Sequence, residues 1–475
     1  MIQLTRSLCR QLRVIVKRAL GRMKPDVRVI AGPSGLRIQA KGFHHAVEYF
    51  DPEPREPADL TIPSALLDDV QGTKPEPVRL YCPTKKVLAA TWDEKGIERT
   101  IQYTLPKPDT TKFHDEPASF TSNSPILLQA LDDASRVTDQ HSTRYALGCL
   151  HLQLGRVSAT DGRQLLVQTG FDFGFQEELL AHSSDVFGCA ELPEGQPVLI
   201  GKTDTHLVVR VGPWSLYAEI QKEGRFPRVL DIIPAVQSAK TTLELHPADA
   251  QFLTENASRL PGNLEEQAVT FDCNGSISVR AKTIDTQAAE LQLTNSSKSG
   301  DDVTICLNRR NLINAARMGF TKLFLYGNAS AVLACDENHR SYVFMPLESQ
   351  ENVVKASNDC LKIPSPVSSR SSVSYPRPYT PTVTMPTNRI AQGTSGTTVK
   401  VPAATTINTE QPVRRRRRRN TTGGTVLEQA VALRDQLREV LTTTKDLVRT
   451  LKAERRSQKS LKVALDSLKQ LQHAA

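Results

Sequence analysis

Along this chain the spacing of apolar residues switches repeatedly between a period near 3.6 and a period of two, the marks of amphipathic helices and half-buried strands. The first helical stretch lies near residues 4–20. Leu8, Leu12, Ile15 and Ala19 fall on one side of it, and Arg6, Arg10, Arg13 and Lys17 form a narrow stripe opposite. Alternating runs at 27–30, 36–40 and 46–50 predict strands, and 63–70 predicts a second, short helix. The outline then recurs. A helix is predicted over 125–137, strands over 147–154 and 156–159, and a poor helix over 183–192, where Gly188 and Cys189 are weak helix formers. A third stretch has helices at 247–260 and 309–318 and strands at 269–272, 276–281, 288–293, 323–326 and 331–335. Asn274-Gly275 supplies a hairpin turn there. A helix-and-strand outline repeated about every 115 residues predicts an α+β protein of three similar modules.

Beyond residue 350 the pattern changes. Residues 351–424 are rich in Ser, Thr and Pro, lose apolar periodicity, and predict a disordered linker. The linker contains the run Arg414, Arg415, Arg416, Arg417, Arg418 and Arg419. Over 425–475, Val426, Leu433, Val440, Leu447, Leu461 and Leu468 recur at sevens, with Leu437, Leu451 and Leu465 on the second seam, interrupted at Glu454 and Gln458. This predicts a coiled coil or a partner-docking helix.

Charge follows the same division. Of 60 Lys and Arg and 51 Asp and Glu, residues 351–475 hold 22 and 9, so the body is mildly acidic and the tail strongly basic. An acidic body can hold a polyanion only where its basic groups cluster. The opening stripe contains no acid, which suits phosphate contact better than an ordinary solvated face; a helix lying on an anionic membrane is a third alternative. No run of about 18 apolar residues predicts a membrane span. The basic N-terminus lacks the apolar core of a secretory signal, and a transit peptide is the weaker alternative.

The eight cysteines are scattered without a metal-ligand spacing, predicting free thiols in a reducing cytoplasm and no metal or other cofactor. Val198-Leu-Ile-Gly-Lys-Thr203 lacks the first glycine of a phosphate loop, since position 196 is Gln, and strand-like residues follow it. Asp132 and Asp133 are adjacent on a helix and point apart. They leave only Arg136 to make that helix basic. His44 and His45 lie on opposite faces of a strand. Nothing in these groups favours an enzyme.

Arg144-Tyr-Ala-Leu-Gly-Cys-Leu-His151, then Val157-Ser-Ala-Thr-Asp-Gly-Arg-Gln-Leu-Leu-Val167, resemble the central signature of the bacterial sliding clamp, the DNA polymerase III β subunit family. Gly224-Arg-Phe-Pro227 with Pro234, and Tyr342-Val-Phe-Met-Pro-Leu347, are similar to two further segments of that family in the same order. The resemblance covers residues 1–348 and implies three clamp domains (1–115, 116–236 and 237–350) forming a ring segment. It implies a head-to-tail homodimer round double-stranded DNA, helices inside, acting in DNA replication as a non-catalytic processivity factor. A bacterial cytoplasmic, nucleoid-associated location, a clamp loader, DNA polymerase III and other clamp-binding proteins are implied with it. DNA contact is expected from Arg6, Arg10, Arg13, Lys17, Arg22, Lys24, Arg144, Arg310, Arg317 and Arg414–Arg419. The implied partner-peptide pocket comprises Leu147, Thr160, Gly162, Arg163, Leu165, Pro234, Val343, Met345, Pro346 and Leu347, although Leu147 and Val343 equally suit ordinary strand core. The family's His-Arg pair is Arg163-Gln164 here, its final Met is Leu347, and it normally ends where this chain continues. A diverged paralogue, acting as a DNA and protein scaffold through the tail, is the alternative.

Overall fold

The computed structural model describes residues 1–367 except 22, 24, 108–110, 141, 143–144, 263–266, 284–285 and 348–352. The described residues all fall within one compact unit. The expected coiled coil, Arg414–Arg419, Arg22, Lys24 and Arg144 all lie outside the described residues.

One motif, strand–helix–three strands, builds nearly everything described. It appears first as β1 (Ile2–Thr5), α1 (Arg6–Leu20), β2 (Val27–Gly32), β3 (Gly35–Lys41) and β4 (His45–Asp51). It returns as β5 (Ala58–Ile62), α2 (Ser64–Val70), β6 (Pro77–Thr84), β7 (Val87–Glu94) and β8 (Ile97–Thr104). The third copy is β9 (Thr121–Asn123), α3 (Ile126–Val137), β10 (Cys149–Gln153), β11 (Arg156–Thr160) and β12 (Gln164–Thr169). In the fourth, β13 (Leu179–His182) leads to a 3-10 turn at Asp185–Gly188 instead of a helix, then β14 (Val198–Lys202), β15 (His206–Val211) and β16 (Trp214–Glu219). The fifth is β17 (Thr241–Glu244), α4 (Pro247–Asn256), β18 (Ala268–Asp272), β19 (Ser278–Ala281) and β20 (Ala289–Gln292). After β21 (Ser297–Gly300) comes the sixth: β22 (Thr304–Asn308), α5 (Arg309–Arg317), β23 (Lys322–Leu325), β24 (Val332–Cys335) and β25 (Arg340–Phe344).

Successive copies are stitched in pairs, because the first strand of each joins the sheet of its sibling: β1 pairs β6, β5 pairs β2, β13 pairs β10, β22 pairs β18. The pairs are then joined by their last strands. β4 runs antiparallel to β16, making an eight-stranded sheet, and β12 runs antiparallel to β25, making a nine-stranded one. Two smaller sheets remain, β1-β6-β7-β8 and a five-stranded one in which β22-β18-β19-β20 is followed by one more strand.

Helices cover one face of these sheets. Thr5 accepts the Leu8 amide to start α1, whose Cys9, Leu12, Ile15, Val16, Ala19 and Leu20 are buried. Each large apolar side chain among them contributes about 1.5–3 kcal/mol on burial. Gly21 ends the helix at φ +66°, a conformation that disfavours side chains. The predicted helix at 183–192 is short for a related reason: a Cβ on Gly188 would sit 2.3 Å from Asp132 Oδ1. The glycine lets the turn approach α3 closely, and backbone closeness replaces helical packing.

The linker prediction requires correction at its start. Leu361–Pro364 forms β26, parallel to β20, and residues 353–360 lead to it along the same sheet. Low apolar content did not prevent order there, because backbone hydrogen bonding to an existing edge needs no apolar side chains.

Candidate nucleic-acid interface and partner groove

The basic stripe of α1 divides in the folded chain. Arg6 is drawn inward, donating to Glu76 (3.0 Å) and to the carbonyls of Val70 (3.1 Å) and Gln71 (3.0 Å). It anchors α1 to the end of α2 and does not face outward with the rest. Arg13 is half-buried and paired with Asp68 at 2.5 Å. Arg10, Lys17 and the neighbouring Arg18 are exposed. An exposed pair such as Arg13–Asp68 is worth less than about 1 kcal/mol and can yield to a phosphate, whereas the multiply bonded Arg6 cannot without stranding buried acceptors.

A stronger concentration of positive charge lies where α3 meets α4 and α5. A cleft of about 580 Å³ is lined by Arg136, Arg309, Arg310 and Arg317, together with Gln267 and Asn314. Arg309 is buried and donates to the carbonyls of Leu260 (2.5 Å) and Pro261 (2.7 Å), tying α5 to the end of α4. Arg310 and Arg317 are exposed. Arg136 is held by Asp132, which accepts from Nε at 3.0 Å and Nη2 at 2.9 Å. Asp132 and Asp133 are 7% and 2% exposed, so they present little acid to this surface, contrary to the sequence expectation. Burial pushes the Asp133 carboxyl up to about 6, against the opposing Gln129 hydrogen bond and Arg340 charge. The expected DNA-contact set contains Arg310 and Arg317 but not Arg136 or Arg309, which line the same cleft. The adjacent pair Arg309-Arg310 at a helix start was the available signal.

On the opposite face, the β12–β25 junction holds residues of the expected partner pocket. Leu165 and Val343 are register partners, 2% and 4% exposed, within an apolar cluster that also holds Cys149, Phe324 and Leu333. The 221–240 connection covers this cluster with Phe226 and Val229, and Phe226 stacks on His151 at 4.2 Å. Around the rim, Met345 donates its amide to the Arg163 carbonyl (2.9 Å), and Thr160 Oγ1 accepts from Gly162 (3.0 Å). Leu147 reaches to the edge of Gly162. Gly162, Arg163 and Met345 are exposed, and Pro234, Pro346 and Leu347 are half-buried. The Leu347 amide donates to the Cys306 carbonyl on β22 rather than to the rim. Thus Thr160, Gly162, Arg163 and Met345 come together over a floor of Leu165 and Val343. Leu230 (46% exposed) and Ile232 (61% exposed) of the connection add apolar surface beside the cluster.

No family model matches the chain, and no curated protein matches it by sequence. Solved structures do match. The DNA polymerase III subunit β from Pseudomonas aeruginosa aligns with a TM-score of 0.57 and 19% identity, over 73% of this chain and 99% of that one. This chain has the sliding-clamp fold. The DNA polymerase β subunit of Streptococcus pyogenes gives 0.59 at 13% identity with the same coverage. The sliding clamp from Bacillus subtilis gives 0.58 at 12%, over 73% and 98%. The clamp fold accounts for the sixfold motif and its joined sheets.

Proposed function

We propose that the chain is a non-catalytic sliding clamp of DNA replication, a processivity factor whose two copies join head to tail around duplex DNA. The pattern of last strands carries this reading. Both internal junctions pair the last strand of one motif with the last strand of another, β4 with β16 and β12 with β25, leaving β8 and β20 as the complementary pair. Joining β8 of one copy to β20 of the next repeats the same junction, and head-to-tail contacts close when the rotation permits. Three clamp domains, 1–115, 116–236 and 237–350, then make half a ring. Its inner face is the helical one, where Arg10, Lys17, Arg310 and Arg317 contact phosphates without reading bases. The groove at the β12–β25 junction takes a short apolar peptide from DNA polymerase III or another clamp-binding protein. A clamp loader and a bacterial cytoplasmic, nucleoid location accompany this role.

The experiment is retention on DNA. Protein loaded on closed circular DNA stays bound at high salt and is lost when the circle is linearised; loss at the same rate from both rejects the reading. A second reading, a clamp-fold scaffold that remains single and works through its tail, is favoured by one observation: β26 already occupies the edge of β20. Sedimentation of the whole chain separates the two.

A further inference from the structure

The two edges left over by the joining pattern are unlike. Among the described residues no strand pairs with the outer side of β8, where Ile97 is 61% and Ile101 36% exposed. β20 is covered by β26, with Ala289 opposite Leu361 and Leu291 opposite Ile363. We propose that β26 is an intramolecular cap on the edge at which β8 of a second copy pairs, so that two copies join only when Leu361–Pro364 leaves β20. This rests on the head-to-tail reading and adds a regulatory step to it.

The hold on β26 is one that can be released. All four of its residues are exposed, Leu361 at 55% and Ile363 at 37%, so little apolar burial retains them. The attachment is by backbone, the Leu361 amide donating to Ala288 and the Ser365 amide to Gln292, both at 2.8 Å. Side chains add to it: Ser365 Oγ donates to buried Asp249 (2.5 Å) and lies 2.9 Å from Thr294 Oγ1, the Thr294 hydroxyl donates to the Ser365 carbonyl (3.2 Å), and Asn295 and Gln287 donate to the carbonyls of Pro366 (3.0 Å) and Asp359 (2.6 Å). Parallel pairing is somewhat weaker per residue than the antiparallel pairing seen at both internal junctions.

A second copy must replace β26, because β26 is a poor template for another strand. The amides of Leu361 and Ser365 point to β20, so by alternation residues 362 and 364 face outward. Position 364 is Pro, which has no amide hydrogen to offer, and position 362 is Lys. Proline and lysine on an outer edge are the features that prevent further pairing. The bare β8 has no such protection and matches the uncapped β20 edge in kind.

The test is sedimentation of the full chain over a concentration series. Ile363→Pro with Ser365→Ala removes one backbone donor and the Ser365 hydroxyl, and Ser365→Ala alone is the milder variant should the double one fold poorly. Release is expected to lower the concentration for pairing roughly tenfold, the effect of losing one or two net hydrogen bonds. Adding Ile97→Glu and Ile101→Glu to the released chain is expected to abolish the gain. Equal association of wild-type and released chains through β8 overturns the cap and leaves the ring reading standing. No association by any of them, with folding intact, overturns the ring reading and the cap with it.

Discussion

The two internal junctions share one backbone geometry and differ in chemistry. At β4–β16, histidines gather: His44 stacks on His182 at 3.9 Å, His114 lies 3.9 Å from His206, and Glu219 accepts from His44 Nδ1 at 2.6 Å. Burial, then the charges of His44 and His45, lowers His182 to about 4. Burial, then His206 and Lys41, lowers His114 to about 4. At β12–β25 the outer face is apolar, Leu165 and Val343 lying under Phe226. The helix side reverses the contrast. Near the first junction a cleft of about 550 Å³ sets Arg10 beside Glu191 and Glu194, while the second has its four-arginine cleft. The same strand pairing therefore supports a titratable seam in one place and a covered apolar cluster in another, because pairing is made by backbone and leaves the side chains free to differ.

The largest effect is expected at the apolar junction. Leu165→Ala leaves a cavity there and costs about 2–5 kcal/mol, measured by urea unfolding. A cost below about 1 kcal/mol would show that the cluster is loosely packed and erase the contrast.

Acid comes next. A histidine lowered in the folded state contributes stability that is complete above its unfolded value near 6.5 and is lost as pH falls towards about 4. The thermal midpoint is expected to drop across that window, and His182→Asn with His114→Gln to flatten the drop. Asp133, near the other junction, has the opposite sign. Its raised carboxyl contributes stability that is lost as pH rises from about 3.9 through about 6. Asp133→Asn should therefore steepen the net loss in acid; a shallower loss would contradict the assignment.

On the helix side, Arg310→Glu with Arg317→Glu is expected to weaken duplex binding more than Arg10→Glu, whose cleft is already partly acidic. Removing two phosphate contacts lowers the salt slope by about 1.8. Equal losses would mean that the clefts do not differ in function. The smallest effect is that of Arg13→Ala, below about 1 kcal/mol in stability, since its pair with Asp68 is exposed.

Periodicity located α1, α3 and α5 closely, since each pairs an apolar stripe with a polar back, whereas α4 buries only Asp249 and Leu253 and ends at Asn256, short of the expected 260. No strand is predicted between residues 51 and 124, where the structure has β5 to β9. β8 is exposed along nearly its whole length, so no alternation marks it, and its partner strands supply the order. The groove residues were legible only through the resemblance of short segments, since nothing local distinguishes Leu165 or Val343 from core. Arg6 and Arg10 are indistinguishable by spacing; Glu76, seventy residues away, decides that one turns inward.

By itself the sequence determined where the amphipathic helices α1, α3 and α5 lie, where the basic tail begins, and that the body repeats a helix-and-strand outline, because these depend on neighbours a few residues apart. Tertiary structure alone decided which strands join across motifs, which arginines remain available to an anion, and that Leu361–Pro364 caps β20. Those outcomes depend on backbone groups and charges brought together from distant positions, and an unpaired edge or a lone arginine carries no local mark of the partner it will meet.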